Sequence, residues 1–565
     1  MQQFIDELLS IIEKRKPDKP SLSKIKTKLS KKYRLKKIPT DIEILLNAPK
    51  EKIDSIKRYL LTKPTRTISG VAVCAIMTKP MPCPHVKKGI GPCTMCPGGP
   101  DSIFGDVPQS YTGKEPATRR AIRNNFDAYL QVMNRLEQHI VQGHFPDKLE
   151  LIIMGGTFPS FPKSYQESFI KDALKAMNDF SRYFFKNHIF AFMKFKHFFE
   201  LPGNIYDEER LKRIHNNLLA LKNKDQSTLE SEQRKNETSN IRCVSLVIET
   251  RPDYATLKEA NQMIRLGCTK VELGVQTIYD KALKRINRGH NVKDSINATR
   301  TLKDLGFKIN YHIMVGLPGM TKKEDATALS ALFNMQEFNP DMLKIYPCMV
   351  IKGTKLYQQW KKKRFSPLST AKAAEIISEF KKTVPEHVRI MRVQRDIPTF
   401  VTEAGVDKTN LRQYIEQLME KKKIKCRCIR CREPRQNKVS NKIVLNEKAY
   451  NASSGNEFFF SAEDEKNDLI LGFCRMRFPS KSLRKEITDD SALIRELHVY
   501  GEAAQIGKKG KVQHRGLGKA LMKKAEDKAR VYFRRKMVVI SGIGAREYFR
   551  KLGYHKQGPY MVKML

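Results

Sequence analysis

Three cysteines early in the chain are the first residues whose type and spacing could do chemistry. Cys83 is followed after nine residues by Cys93, and after two more by Cys96-Pro97-Gly98-Gly99. Three thiolates ending in a Cys-x-x-Cys step suit zinc or an iron–sulfur cluster, both soft-ligand sites. A structural zinc needs a fourth closed ligand, and His85 stands near enough in sequence to supply it. A 4Fe-4S cube held by three cysteines instead keeps one iron open to chelate a substrate. Gly98 and Gly99 let the backbone approach either group closely. Spacing alone leaves both metals open.

A second trio, Cys426-x-Cys428-x2-Cys431, lies in a basic stretch that would stabilise thiolates. Zinc with a fourth ligand from elsewhere is the first reading, with His387 and Cys348 as candidate donors. The other cysteines, Cys74, Cys243, Cys268, Cys348 and Cys474, are scattered and read as buried thiols. Eleven cysteines is an odd number and fits a disulfide framework poorly.

The third constellation is Gln513-His514-Arg515-Gly516-Leu517-Gly518, which opens a helix at Lys519. A glycine-bearing turn at a helix start presents free N–H groups and the positive dipole end, suited to a pyrophosphate. The strand-like Glu496-Leu497-His498-Val499 precedes it; a strand, a helix and Tyr548 follow. This order resembles the GNAT acetyltransferase plan. There the strand would hold a pantetheine arm by its backbone, and Gln513, Arg515, Gly516, Leu517, Gly518 and Lys519 would hold acetyl-CoA phosphates. Tyr548 would donate a proton to the departing thiolate.

Elements must position these groups. Residues 1–64 read as a small basic helical module: twelve Lys or Arg and one acid, Asp18, lie between Lys14 and Lys37. Leu22, Ile25, Leu29 and Tyr33 recur at helical spacing inside that run. Residues 65–409 alternate short β runs with helices, which implies a parallel sheet with crossover helices. The clearest strands are 149–154, 245–249, 270–275 and 309–314. Several end in Gly, Thr or Gln, where a (β/α) barrel places working residues. The stretch 181–242 reads as a charged, irregular insertion with no assigned function. Residues 410–440 form a cysteine-containing zinc linker, and 441–565 alternate strand and helix again.

Gly155-Gly156-Thr157 ends the strand 149–154. Together with the cysteines this resembles the radical SAM superfamily, whose members commonly place the methionine end of S-adenosyl-L-methionine at such a glycine pair. The nine-residue cysteine gap departs from the usual three and points to one branch. Cys93-Thr94-Met95-Cys96-Pro97-Gly98-Gly99-Pro100-Asp101-Ser102 resembles the Elongator catalytic subunit family, prokaryotic type. So do Gln109-Ser110-Tyr111-Thr112-Gly113, Glu249-Thr250-Arg251-Pro252-Asp253, Asn287-Arg288-Gly289-His290, Leu343-Lys344-Ile345-Tyr346-Pro347, Arg392-Val393-Gln394-Arg395-Asp396 and Arg495-Glu496-Leu497-His498-Val499-Tyr500-Gly501.

The resemblance implies an α/β chain: a radical SAM (β/α) partial barrel fused to a GNAT-type domain, with the basic module in front. It makes Cys83, Cys93 and Cys96 the 4Fe-4S ligands, Gly155, Gly156 and Glu249 SAM contacts, and Lys148 an acetyl-CoA contact. The family tends to carry two tyrosines where this chain has Tyr548-Phe549. The implied reaction converts a tRNA wobble uridine to 5-carboxymethyluridine. S-adenosylmethionine is cleaved to a 5′-deoxyadenosyl radical, which takes hydrogen from the acetyl methyl group, and the resulting carbon radical adds to C5. Thioester cleavage then leaves the carboxymethyl group.

Charge agrees with an RNA partner. Lys plus Arg number 106 against 60 acids, a net +46, an excess that calls for a polyanion. The anticodon stem-loop of tRNA is the expected partner, with Lys24, Lys28, Lys31 and Lys32 on its phosphates and a homodimer left open. No apolar run reaches the roughly 18 residues of a membrane span, and no secretory leader is visible, so no membrane role and a cytoplasmic place are expected. The rivals are a protein lysine acetyltransferase with a structural cluster, an RNA-binding scaffold with relic heads, and a radical methylation or thiolation of RNA.

Overall fold

The amino-terminal module folds around one apolar stripe. Helix α1 (Gln2–Arg15) buries Phe4, Ile5, Leu8, Leu9 and Ile12. They pack in one core with Leu22 and Leu29 of α2 (Lys19–Lys32) and Ile44 and Leu45 of α3 (Asp41–Asn47). Asp18 caps α2 by accepting the Ser21 N–H, and Thr40 with Glu43 forms a capping box on α3. The computed structural model describes residues 1–62, 69–204, 206–435, 437–440, 442–500 and 516–565. Among these, no helix is long and apolar enough to cross a membrane.

Seven strands build the central sheet: β1 (Ala72–Met77), β2 (Lys148–Met154), β3 (Arg242–Thr250), β4 (Lys270–Gln276), β5 (Lys308–Val315), β6 (Met342–Pro347) and β7 (Arg389–Arg392). Their order in space is their order in sequence, and every neighbouring pair is parallel. A parallel neighbour cannot be reached by a hairpin, and helices fill each crossover. These include α4 (Ala128–Val141), α5 (Lys163–Phe184), α6 (Leu257–Arg265), α7 (Val292–Asp304), α8 (Lys322–Asn334) and α9 (Thr370–Thr383). The sheet curls as a half barrel, with β1 and β7 as open edges, so all strand C-termini face one end. Four of the seven strands are legible in sequence; β7 is only four residues long.

The stretch 181–242 is not irregular. After α5 and a two-residue hairpin come helices Phe192–Phe198, Glu208–Asn223 and Leu229–Asn236. Most of its charges lie outside, with Arg210, Glu232 and Glu237 the buried exceptions, while Phe184, Phe195, Phe199, Ile214, Leu218 and Leu229 are buried. Ring pairs such as Phe195–Phe199, 4.9 Å between centroids, hold it together. Lys196 Nζ donates to the Leu46 carbonyl at 2.6 Å, tying this helical cap to the amino-terminal module.

Helix α10 (Leu411–Lys421) leads into the linker. The carboxyl-terminal domain has strands β8 (Val444–Ala452), β9 (Gly455–Asp464), β10 (Leu469–Phe478), β11 (Ser491–Val499), β12 (Lys536–Val539), β13 (His555–Gln557) and β14 (Tyr560–Met564). They lie in the order β8-β9-β10-β11-β12-β14-β13, with α11 (Leu517–Val531) and the short α12 (Arg546–Arg550) alongside.

A buried ion network clamps this domain to the barrel. Arg495 of β11 bonds Asp341 at 2.5 Å, Glu457 at 2.9 Å and the Phe307 carbonyl at 2.7 Å. Arg477 bonds Asp304 at 2.6 Å and Glu457 at 3.0 Å, and Lys303 lies 3.2 Å from Glu457. All six are essentially inaccessible. Removing one partner of such a network strands a buried charge, at about 3–5 kcal/mol. Arg495→Met is therefore expected to lower stability by about that much, read as a lower denaturant midpoint; an unchanged midpoint refutes the clamp. Burial would raise the Asp341 carboxyl, but Arg495, Lys303 and Arg475 hold it well below the usual range. Its contribution is therefore complete above about pH 4 and is lost as pH falls toward the depressed value.

Candidate functional site

At the C-terminal end of the half barrel, alternate strand residues turn inward, because successive side chains face opposite sides. Glu249 of β3, Glu272, Gly274 and Gln276 of β4, His312 and Met314 of β5, and Lys344 and Tyr346 of β6 line a cavity of about 190 Å³. Cys83, Cys93, Cys96 and Gly156 share that lining. The Glu249, Glu272 and His312 ligand atoms lie within 4.8 Å of one another. Lys344 Nζ is bonded to Glu272 and stands 3.7 Å from Glu249. With its charge already countered by a lysine, the group reads as a hydrogen-bonding array facing a substrate.

The two cysteine trios differ in geometry. The Cys426, Cys428 and Cys431 sulfurs all lie within 4.8 Å of one another, whereas Cys83, Cys93 and Cys96 form no such group. Zinc–thiolate bonds of ~2.3 Å draw tetrahedral sulfurs to about 3.8 Å apart. The linker trio fits that ion, and the wider barrel trio fits the larger body of an iron–sulfur cube. His85 forms no ligand group with these thiols: it is buried, with Nε2 2.7 Å from the Asp253 carboxylate and Nδ1 packed against Gly289. Gln109 Nε2 donates to Cys96 Sγ at 2.9 Å, and Arg288 Nη1 to Cys93 Sγ at 3.5 Å. Burial pushes the Cys93 thiol up, but Arg288 and Arg251 outweigh it and the thiol sits below its ordinary value. At Cys83 burial wins, and the thiol is raised.

Gly155 and Gly156 have φ of 116° and 102°, a region where side chains are strained. A Cβ on Gly155 would overlap Thr78 Oγ1, and one on Gly156 would stand 3.3 Å from Gln109 Cβ. Gly156 lines the cavity, while Gly155 packs against the end of β1. Glu249 also faces it, accepting from the Tyr111 hydroxyl at 2.9 Å.

The second centre forms where β11 leaves its neighbour. β11 pairs with β12 only from Ser491 to Ile494, although it pairs with β10 as far as Val499. Among the described residues no strand pairs with that edge of β11 beyond Ile494, which leaves the backbone of Glu496, Leu497 and His498 facing the same side. The Glu496 side chain points elsewhere, accepting from Arg475 Nε at 3.0 Å, so only its backbone is available. Burial brings His498 down to about 4, which keeps it neutral. Helix α11 begins at Leu517 with Gly516, φ 82°, as a cap that makes no side-chain bond. Its first N–H groups, including those of Leu517, Gly518 and Lys519, point to the helix start, where an anion is favoured. Gln513 and Arg515 lie outside the described residues.

These pieces converge. A Cβ on Gly518 would stand 2.7 Å from the Tyr548 hydroxyl and 3.7 Å from Val499 Cγ2. Burial, with Cys474 adding to it, raises Tyr548 to about 12, so its phenol stays protonated and able to donate. Tyr548 is still 40% exposed, open to the site. The turn Ile543–Ala545 ahead of it packs on β3, a Gly544 Cβ falling against Arg242. Lys148 begins β2 opposite Arg242 and pairs with Asp147 at 3.4 Å, which sets it beside the turn that carries Tyr548.

In the linker, neither His387 nor Cys348 joins the cysteines. His387 stacks on Tyr450 with centroids 4.0 Å apart, and Cys348 is buried with Met95 and Met314. The buried Lys381 stands there instead, its Nζ 3.5 Å from Cys426 and 3.4 Å from Cys431. On α2, Lys24, Lys28, Lys31 and Lys32 are all exposed. Lys32 is paired with Glu7 at 2.6 Å, and the other three recur at helical spacing on one face.

Glu272, His312, Arg251 and Lys381 were given no role from sequence. Polar residues at every second position near strand ends, such as Glu272-Leu273-Gly274-Val275-Gln276, are the signal that finds the first two; Lys381 has none.

Family models match most of the chain: the ELP3 N-terminal domain over residues 1–68 and the Radical SAM superfamily over 91–331. The Radical_SAM C-terminal domain matches 340–421 and the Acetyltransferase (GNAT) family 426–554. The chain is 44% identical to the tRNA uridine(34) acetyltransferase of Methanocaldococcus infernus, covering 100% of this chain and 99% of that one. It is 36% identical to Elongator complex protein 3 of Homo sapiens, over 99% and 96%. The solved structure of archaeal Methanocaldococcus infernus Elp3 lacking its N-terminus (1–46) superposes with a TM-score of 0.69 and 41% identity, covering 88% of this chain and 100% of that chain.

Proposed function

The chain belongs to the Elongator complex protein 3 family, archaeal type, and from that premise we propose that it forms 5-carboxymethyluridine at the wobble position of tRNA from acetyl-CoA and S-adenosylmethionine. The relative named tRNA uridine(34) acetyltransferase supports the substrate. The observation that carries the reading is the pairing of two centres on one rigidly clamped chain. A cavity bearing three spread cysteines is joined, through β3 and the Gly544 turn, to an open strand edge with a protonated tyrosine. An acetyl group moved to a nitrogen or oxygen would need only the second.

When bound, the cluster with S-adenosylmethionine supplies the one-electron carbon chemistry that acyl transfer lacks. The protein's part is position and protons. Cys83, Cys93 and Cys96 hold the cluster, with Gln109 and Arg288 steadying two of the sulfurs. Gly156 and Glu249 receive S-adenosylmethionine. The start of α11 takes the acetyl-CoA pyrophosphate, Lys148 assists from the barrel, and the open edge of β11 takes the pantetheine arm as an added strand would. Tyr548 donates its proton to the thiolate when the thioester breaks. Cys426, Cys428 and Cys431 hold a structural zinc whose excess thiolate charge Lys381 offsets.

The α2 lysines grip the phosphates of the anticodon stem-loop. Each phosphate contact contributes roughly 0.7–0.9 to the slope of log affinity against log salt. Replacing Lys24, Lys28 and Lys31 together by alanine is expected to flatten that slope by about 2–3, measured by fluorescence anisotropy with tRNA. An unchanged slope removes α2 from the interface. The function itself is tested by anaerobic incubation with unmodified tRNA, leaving out one component at a time. Nucleoside mass spectrometry should show 5-carboxymethyluridine only when dithionite, S-adenosylmethionine and acetyl-CoA are all present. Acetyl-CoA consumed with no change in uridine would favour protein acetylation.

A further inference from the structure

Two large apolar side chains stand in solvent on loops that adjoin the lining of the barrel cavity. Phe400 is 80% exposed and Ile103 is 60% exposed. Phe400 sits on the tight turn Thr399–Val401, three residues beyond Ile397, which lines the cavity together with Arg395. Ile103 forms the tip of the hairpin between Gly99–Ser102 and Gly105–Val107, which follows directly on the Cys96 ligand loop.

A small antiparallel sheet brings the two together. Val350–Ile351 pairs with Thr402–Ala404, and Ile351 stands opposite Thr402. The chain leaving Ile351 toward Gly353 and the chain arriving from Phe400 therefore emerge at the same end of that sheet. Ile103 lies over that end, for a Cβ on Gly353 would fall 2.6 Å from Ile103 Cδ1. Both loops are tied to the metal site. Arg395 Nη2 donates to the Ser110 carbonyl at 2.7 Å, and Ser110 Oγ is 3.6 Å from Cys96 Sγ. Lys352 and Lys355, both exposed, supply positive charge beside the pair.

A ring this exposed gains nothing from the core, and its place is fixed relative to the cavity that the reactive base must enter. A uridine drawn into a pocket leaves its stack, and the neighbouring base loses a face. Aromatic side chains replace that face for any base, because every base has a π surface. We propose that Phe400 stacks on the nucleobase next to the reactive uridine, with Ile103 bounding the same seat and the lysines meeting the adjoining phosphates. The seat rests on the RNA-modifying function proposed above and adds how the single-stranded loop is held. It is a positioning element, since neither side chain touches the reacting atoms.

The test is a two-by-two cycle on the full chain. Anticodon stem-loop RNA is used intact and with the nucleotides flanking the wobble uridine made abasic, and binding is measured by fluorescence anisotropy. Phe400→Ala is expected to weaken binding of intact RNA about 5- to 150-fold, the range for losing one base–aromatic stack. With abasic RNA the parent and Phe400→Ala should bind alike, and Phe400→Trp should bind intact RNA like the parent. Unchanged melting temperature is expected for both variants, because the side chain is exposed. Equal affinity of parent and Phe400→Ala for intact RNA overturns the seat, as does an alanine penalty that persists with abasic RNA. Failure of the parent chain to bind the stem-loop at all would instead overturn the RNA-modifying reading, and the seat with it.

Discussion

Cys96→Ala is expected to abolish the proposed 5-carboxymethyluridine formation while leaving the fold and acetyl-CoA binding in place. Cys96 is a half-buried thiol in the cavity wall, held by Gln109 rather than packed into the core, so its loss should cost little stability. Without it the proposed open-iron site would lose one of three ligands, and among the described residues only Cys83 and Cys93 would remain as thiols lining that cavity. The uncatalysed attachment of carbon to C5 is slow enough that product should fall by more than about 10⁴-fold. Nucleoside mass spectrometry reads the product, and iron analysis reads the cluster. Cys431→Ala serves as the control: it should lose zinc and keep iron. Full activity in the Cys96 variant would make the cluster structural.

Tyr548→Phe is expected to lower turnover by roughly 10²–10⁴-fold, the usual worth of a placed general acid. Affinity for acetyl-CoA should change little, because only a hydroxyl is removed and the backbone groups of β11 and α11 proposed to hold the cofactor are untouched. The pH profile separates this role from packing. Burial raises Tyr548 to about 12, so the protonated form that donates persists throughout the neutral range. Turnover limited by this acid should therefore stay level from about pH 6 to 10 and fall only as pH approaches 12. Stopped kinetics of free CoA release checks both points. A phenylalanine variant with parental turnover would leave Tyr548 as a packing residue; with Phe549 at the next position, any role of a second hydroxyl there is absent or supplied otherwise.

The parts of this molecule that were legible in sequence are those whose chemistry is local. Cys83, Cys93 and Cys96, Gly155-Gly156 and Gly516-Leu517-Gly518 announce themselves by type and spacing, because a metal or a phosphate needs those groups within one loop. Strands such as Lys148–Met154 read clearly from their run of Leu and Ile. Alternation of strands and helices gives the parallel sheet with crossover helices, while the partial barrel and the GNAT plan come from the family resemblance. What sequence could not show depends on distant partners. Arg495 looks like any arginine until Asp341 and Glu457, from two other elements, close around it. His387 was a reasonable zinc donor by proximity, yet its ring is stacked on Tyr450, and Lys381 stands beside the thiols instead. The segment 181–242 was misread because its charges dominate the composition, while its buried phenylalanines, spaced across several short helices, define its structure.

The most direct test of the two-centre chemistry follows hydrogen from one centre to the other. The reconstituted chain, reduced anaerobically, is given S-adenosylmethionine, unmodified tRNA and acetyl-CoA carrying a CD₃ methyl group, and both small-molecule and nucleoside products are weighed by mass spectrometry. The expected result is 5′-deoxyadenosine carrying one deuterium and 5-carboxymethyluridine keeping two. Unlabelled 5′-deoxyadenosine beside a modified uridine that keeps all three deuteriums would contradict it, because the methyl group would then never have met the radical.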